Sequence, residues 1–137
     1  PQGIVPQAGQ IDTSYLRLGQ AEFVPLEPTS GLYQNIDAAG YQILLNYHAR
    51  RQLAPQLTLS QVLRGDFDPR LVQNRVVLIG STARSLKDMF LTPYSAAERD
   101  NNWSMPGVVI HGQVVSQLLS AAIDGSPPFW YWADWAE

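Results

Sequence analysis

The sequence contains no cysteine and only two histidines, His48 and His111, in 137 residues. Disulfide bridges and thiolate metal sites are therefore excluded, and a metal site built from several histidines is not expected. Basic residues are also few and scattered: nine Lys and Arg stand against twelve Asp and Glu, which gives a net charge of −3. Since phosphate recognition needs a concentrated basic face, nucleic acid is not an expected partner. We predict no metal and no cofactor.

Long apolar runs are missing as well. No stretch reaches the roughly 20 apolar residues that cross a bilayer, and no signal peptide is visible at the start of the chain. The hydrophobic share of 45% and the charged share of 15% are those of a folded globular chain with one core. We therefore expect residues 1–137 to form a single domain, or part of one, taken from a longer protein.

The two ends differ from the middle in composition. Residues 1–35 are rich in proline and glycine, which predicts an irregular lead-in with edge strands near Leu16–Leu18 and Phe23–Leu26. Residues 126–137 hold three of the four tryptophans. Clustered Trp and Tyr side chains are typical of membrane interfaces, so this segment predicts a membrane-proximal aromatic tail. The alternative is that these rings cap a core edge or meet a partner subunit.

Two helices are indicated in the rest of the chain. The first is a short helix, for which Thr58 or Ser60 can act as the N-cap and which Gly65 can end. From about Pro106 to Gly125, apolar residues recur every four positions and predict a long amphipathic helix. Its apolar face is predicted from Ile110, Val114, Leu118 and Ala122, and its polar face from Gln113, Gln117, Ser120 and Asp124.

Two apolar runs favour strands. Val76–Ile79 consists of four aliphatic residues, which predicts a strand buried on both faces at the centre of a parallel sheet. Residues 41–47 predict a second buried strand, and a helix that starts near Asn35 is the competing interpretation. The predicted fold class is α/β, with a mixed or parallel central sheet and the long C-terminal amphipathic helix packed on it.

The candidate chemistry begins directly after the predicted central strand. Loops at the carboxyl ends of such strands line the crevice in which open α/β sheets bind ligands. There Gly80 permits a sharp turn, and the hydroxyls of Ser81 and Thr82 could contact an anion or a carbonyl. Neither a Gly-x-Ser-x-Gly elbow nor a Walker phosphate loop is complete. A purely structural turn is the alternative.

Three further residues extend this candidate site. Asp88 could accept hydrogen bonds from loop amides or from the Thr92 hydroxyl, and Pro93 makes Thr92 part of a rigid extended corner. His111 falls in the first turn of the predicted C-terminal helix, on its apolar side, where it could be a general base, a metal ligand or a pH sensor. The alternative is a core histidine whose ring is hydrogen-bonded to a hydroxyl or a backbone carbonyl. If Asp88 paired with His111 and Ser81, the arrangement would be that of a hydrolase.

The order of these motifs resembles a known family. The segments "VVLIGSTARSLKDMFLTPYS" and "MPGVVIHGQVVSQLLS" resemble the CHASE2 family of extracellular sensory domains, and "YQILLNYHA" and "TLSQVLRGDFDP" match its earlier part. The family's motif residues fall on Ile79-Gly80, Thr82-Ala83, Asp88, Thr92-Pro93, Pro106-Gly107-Val108 and Ile110-His111. The resemblance extends over about residues 40–125, and Gly112 departs from it where alanine is commoner.

The resemblance implies a non-catalytic signal-input domain on the extracytoplasmic side of a bacterial cell membrane. Such receptors carry histidine kinase, nucleotide cyclase or serine/threonine kinase output domains, so the implied partners are the protein's own transmembrane helices and a cytoplasmic output domain. The stimulus would be an unidentified small molecule or peptide, and a homodimer is a further option. The ligand-binding candidates are Ser81, Thr82, Asp88, Thr92 and His111, with Gly80, Pro93, Pro106 and Gly107 as a structural motif.

Two other functions stay open from the sequence. The first is a hydrolase-like enzyme that uses Ser81, His111 and Asp88, against which the incomplete elbow counts. The second is a structural dimerisation module whose interface includes the aromatic tail of residues 126–137.

Overall fold

The computed structural model describes residues 3–31, 33–47, 54–94 and 104–129. The chain forms two compact units: Pro1–Asn46 together with Val114–Glu137, and Tyr47–Gln113. His48, the predicted tail beyond residue 129 and most of the polar stretch 95–104 lie outside the described residues. Small antiparallel sheets and helices make the protein a mixed α/β chain. None of the helices in the described ranges is long and apolar enough to cross a membrane.

The first unit contains a three-stranded antiparallel sheet. Its strands are β1 (Gln7–Ala8), β2 (Leu16–Leu18) and β3 (Ala21–Phe23), in the order β1-β2-β3. Leu16 pairs with Phe23 and Leu18 with Ala21. The hairpin turns at Gly19, whose φ of 61° belongs to the left-handed region that glycine adopts without strain. Strand β2 coincides with the predicted strand at Leu16–Leu18 but is the central strand of this sheet instead of an edge strand. Strand β3 overlaps the second predicted strand, Phe23–Leu26, only at Phe23.

A long helix packs on this sheet. Helix α2 (Gly107–Asp124) contributes residues 107–113 to the second unit and residues 114–124 to the first. In the first unit Ala121 is buried with Ala21 and Phe23, and Leu16, Leu18, Ile43 and Leu118 pack around them. The contact is close at the hairpin, because a Cβ on Gly19 would overlap the Ala122 carbonyl oxygen. The predicted C-terminal helix and its packing on a sheet are thus confirmed here, on an antiparallel sheet.

The second unit is built from short elements. Helix α1 (Leu59–Arg64) begins with a capping box between Thr58 and Gln61 and ends at Gly65, which is left-handed with φ 69°. These are the caps that the sequence predicts. Turns of 3₁₀ helix follow at Pro69–Leu71 and Arg84–Leu86. Strand β4 (Met89–Phe90) pairs antiparallel with β5 (Met105–Pro106), which leads directly into α2.

The prediction of a central strand at Val76–Ile79 is wrong. Val76–Ile79 is not part of any strand, and all four side chains are exposed, Ile79 to 95%. Every strand pair among the described residues is antiparallel, so the parallel sheet is not found there either. The four aliphatic residues have a high strand propensity, but a strand also needs a neighbour for its backbone hydrogen bonds. No described segment pairs with residues 76–79.

The predicted faces of α2 also need correction. Gln113 and Gln117 are only 1% and 5% exposed, whereas Leu119 and Ile123 are exposed. The deeply buried stripe therefore runs through Gln113, Gln117 and Ala121, one residue away from the predicted apolar stripe. Residues 41–47 form neither the predicted strand nor the alternative helix, and most of them are half-buried irregular chain. The long amides override the hydropathy pattern because a buried amide with its hydrogen bonds formed is tolerated in a core.

Candidate functional site

The candidate residues of the second unit gather around the first turn of α2. The Gly107 amide donates a hydrogen bond of 3.0 Å to the Asp88 carbonyl oxygen. Next to this bond, Met89 of β4 pairs with Pro106 of β5. The two-stranded sheet therefore holds Asp88 beside the residue at which the helix begins.

The Asp88 carboxylate lies directly against Gly107. A Cβ on Gly107 would be 2.5 Å from one carboxylate oxygen of Asp88 and 2.6 Å from the other. The start of a helix carries a partial positive charge from its free backbone N–H groups. The exposed carboxylate of Asp88 thus complements the charge at the start of α2. An anionic ligand at the same position would be repelled by it.

Gly80 meets the same helical turn. A Cβ on Gly80 would be 2.5 Å from the Cβ of Val108, the residue that follows Gly107. The loop that starts at Gly80 and the carboxylate of Asp88 are therefore neighbours at the N-terminal end of α2. Sequence position alone separates them by eight residues, so the convergence is a product of the fold.

Ser81 uses its hydroxyl within the loop. The Ser81 Oγ accepts a hydrogen bond of 3.1 Å from the Ala83 amide, which makes a local turn of the kind that serine commonly stabilises. Thr82 beside it is an exposed residue. The structure thus gives Ser81 the turn role that the sequence leaves as the alternative, and Thr82 is the more exposed of the two residues.

His111 lies on the helix face shared by Gly107 and Val108. It is four residues after Gly107 and three after Val108, and residues at these spacings are neighbours on a helix surface. Its side chain is exposed, so the interpretation of His111 as a core histidine is wrong. Its exposed imidazole lies three and four residues along α2 from Val108 and Gly107, the residues that Gly80 and Asp88 contact.

Thr92 belongs to the interior. It is buried, and the chain two residues later is fixed by Tyr94, whose hydroxyl donates a hydrogen bond of 2.8 Å to the Tyr47 carbonyl oxygen. The rings of Tyr47 and Tyr94 meet edge to face with their centroids 6.1 Å apart. Thr92 is therefore an interior residue, whereas Pro93 next to it is exposed, and the exposed ligand-binding candidates are Thr82, Asp88 and His111.

A hydrolase arrangement is not assembled among these side chains. Catalysis by a serine needs the hydroxyl within hydrogen-bond reach of a base, and the base oriented by an acid. Among the described residues Ser81 bonds to Ala83, and no hydrogen bond joins Ser81 to His111 or His111 to Asp88. The geometry does not support the hydrolase alternative.

Two residues with structural roles, Tyr41 and Gln117, are not predicted from the sequence. Tyr41 and Gln117 tie a half-buried segment to the β1–β3 sheet and to α2 through hydrogen bonds described below. A glutamine on the predicted polar face gives no sequence signal for burial. Tyr41 falls in an apolar run, and nothing local distinguishes its hydroxyl from that of any other tyrosine.

The described residues form a mixed α/β chain with exposed candidate residues around the start of its long helix. The family model of the CHASE2 domain matches residues 5–137. The chain therefore belongs to the CHASE2 family, a family of extracellular sensory domains. No curated protein and no solved structure matches the chain.

Proposed function

We propose that this chain is the non-catalytic signal-input domain of a bacterial transmembrane receptor. It senses a stimulus on the extracytoplasmic side of the cell membrane and passes the signal through transmembrane helices to a cytoplasmic kinase or nucleotide cyclase. Membership of the CHASE2 family over residues 5–137 carries this proposal. The stimulus is a small molecule or peptide that contacts the exposed side chains of Thr82, Asp88 and His111.

The position of the candidate site supports the proposal. Gly80 and Asp88 both contact the first turn of an 18-residue helix. A ligand that prefers one arrangement of this corner would bias the position of α2, and such a preference is what coupling requires. Because Asp88 already complements the helix start, the favoured ligand carries a neutral or cationic group at that point.

Thermal unfolding of the chain with defined compounds tests the binding step. Amino acids, short peptides, polyamines and carboxylic acids are added one class at a time at millimolar concentration. A ligand at 100 times its Kd stabilises a protein by about 2.7 kcal/mol, which raises the Tm by several degrees. We expect one neutral or cationic class to produce this shift. His111→Ala and Asp88→Asn should reduce it, and Asp124→Ala, at the exposed far end of α2, should not.

The signalling step is tested in the full-length receptor. Replacement of residues 5–137 by an unrelated folded domain should abolish the response of the kinase or cyclase output to the compound found above. The proposal fails if no class of compound shifts the Tm and the replacement leaves output unchanged. Ester hydrolysis by the chain that disappears in Ser81→Ala would favour the hydrolase alternative instead.

A further inference from the structure

Residues 41–46 form an irregular segment in the first unit that we call the strap. At its start, the Tyr41 hydroxyl accepts a hydrogen bond of 2.6 Å from the Leu16 amide and donates one of 2.5 Å to the Phe23 carbonyl oxygen. Leu16 and Phe23 are partners in the β2–β3 register. The hydroxyl therefore bridges both strands and fixes the strap to the sheet.

The other end of the strap is fixed to α2. The Gln117 side chain accepts a hydrogen bond of 2.8 Å from the Asn46 amide through Oε1. Its Nε2 donates one of 3.0 Å to the Leu44 carbonyl oxygen. These backbone groups are two residues apart, the spacing at which a neighbouring strand would bind them. One side chain thus replaces a strand partner.

The middle of the strap is held as well. Ile43 packs against the core residues Ala21, Phe23 and Ala121. The Gln42 carbonyl oxygen accepts a hydrogen bond of 2.8 Å from the Leu26 amide. The middle of the strap is therefore also held in place by contacts, between the hydrogen bonds of Tyr41 at one end and those of Gln117 at the other.

Because the Gln117 side chain is buried, the loss of its hydrogen bonds would cost free energy. Gln117 is 5% exposed, so a strap that moved away without the helix would leave a buried amide without its partners. Unpaired buried polar groups are strongly disfavoured. When the strap is displaced, the helix is therefore expected to move with it, so that the hydrogen bonds of Gln117 are kept.

We infer that the strap, anchored by Tyr41 and Gln117, mechanically couples the β1–β3 sheet to helix α2. The inference rests on the proposed sensory function for its biological meaning, since α2 is the helix that carries the candidate site at its start. The coupling itself is a property of the first unit and is measured without any stimulus.

The test is amide hydrogen exchange of the 137-residue chain, followed by NMR. Tyr41→Phe removes the sheet anchor, and Gln117→Met removes the helix anchor with a side chain of similar length. In the native background Tyr41→Phe should speed exchange of the Asn46, Leu118 and Ala121 amides about five-fold, as for one lost hydrogen bond. In the Gln117→Met background the same change should alter Leu118 and Ala121 less than about two-fold, while Leu16 still responds.

Two controls complete the design. Tyr33→Phe changes an exposed tyrosine of the same unit and should leave all these amides unaffected. If Gln117→Met does not fold, Gln117→Asn shortens the anchor and keeps its amide chemistry. The inference is overturned if Tyr41→Phe affects only the sheet, or if it affects α2 equally in both backgrounds. If the coupling is measured as expected but replacement of residues 5–137 leaves receptor output unchanged, that result counts against the proposed function alone.

Discussion

The carboxylate of Asp88 occupies the space that a side chain on Gly107 would need. Both oxygens lie within 2.6 Å of the position of the absent Cβ. Glycine at the first residue of α2 is therefore required by a neighbour 19 positions earlier in the chain, and φ at Gly107 is not in the left-handed region. The contact between Asp88 and Gly107 fixes the residue that precedes β4 to the start of α2.

Gly107→Ala should displace the Asp88 carboxylate and lose its interaction with the helix dipole, at a cost of about 0.5–1 kcal/mol. Since the clash is with Asp88, the same change in an Asp88→Ala background should cost almost nothing. Urea unfolding of the two single variants and the double variant measures this coupling. Strictly additive effects of the two substitutions would contradict the assigned contact.

Gly19→Ala should destabilise the first unit by about 2–3 kcal/mol, because it combines left-handed strain with a backbone clash. The new Cβ would overlap the Ala122 carbonyl oxygen, which cannot move without the helix. Gly40→Ala is the matched control: Gly40 has φ 79°, and a Cβ placed on it would meet nothing within 4 Å. The control should show the strain alone, about 1 kcal/mol. Equal Tm losses in the two variants would be evidence against the close contact.

Thr58→Ala should remove the capping box of α1 and cost that helix about 1 kcal/mol. The effect should be local, since none of the residues in α1 is buried and the helix adds little to the core. We expect faster exchange at the Val62 and Gly65 amides with almost no change in Tm. Thr58→Ser keeps a hydroxyl acceptor and should behave as the native chain does. A large drop in Tm would show that α1 supports more of the unit than its exposure indicates.

Acidification should weaken the turn at Pro69–Leu71. The Arg70 side chain, and after it the Arg70 amide, lower the pKa of Asp68 below its ordinary value of 3.8 through hydrogen bonds. A group whose pKa is lowered by folding stabilises the fold fully above its unfolded pKa, and this contribution is lost as the pH falls below 3.8. An NMR titration of Asp68 should therefore give a pKa that returns towards 3.8 in Arg70→Gln. An unchanged pKa in that variant would exclude the ion pair as the cause.

Local signals made part of this fold predictable. The caps at Thr58 and Gly65 and the four-residue spacing in α2 specify helices from residues close together in sequence. The face of α2 was not predictable in the same way, because Gln117 is buried by partners more than 70 positions earlier, Leu44 and Asn46. The strand prediction for Val76–Ile79 was wrong for the same reason: strand propensity is local, and a partner strand is not.

The choice of candidate site residues stays a prediction. Residue types and order selected Gly80, Asp88 and His111; Gly80 and Asp88 contact the first turn of α2, and His111 follows in the same helix. Exposure was not predictable, since it depends on contacts between residues that are far apart in the sequence. His111 is therefore exposed and Thr92 buried, which residue type and spacing alone do not indicate.

The bare aliphatic run Val76–Ile79 has a practical consequence for work with the purified chain. Its residues and Gly80 make no hydrogen bond in the described structure. An exposed segment of this composition is a template for strand-to-strand association between molecules. Concentrated solutions should therefore become turbid over time and bind amyloid dyes. A single charge, as in Val77→Lys, should delay this at unchanged Tm, which makes that variant the preferable starting material for crystallisation and NMR.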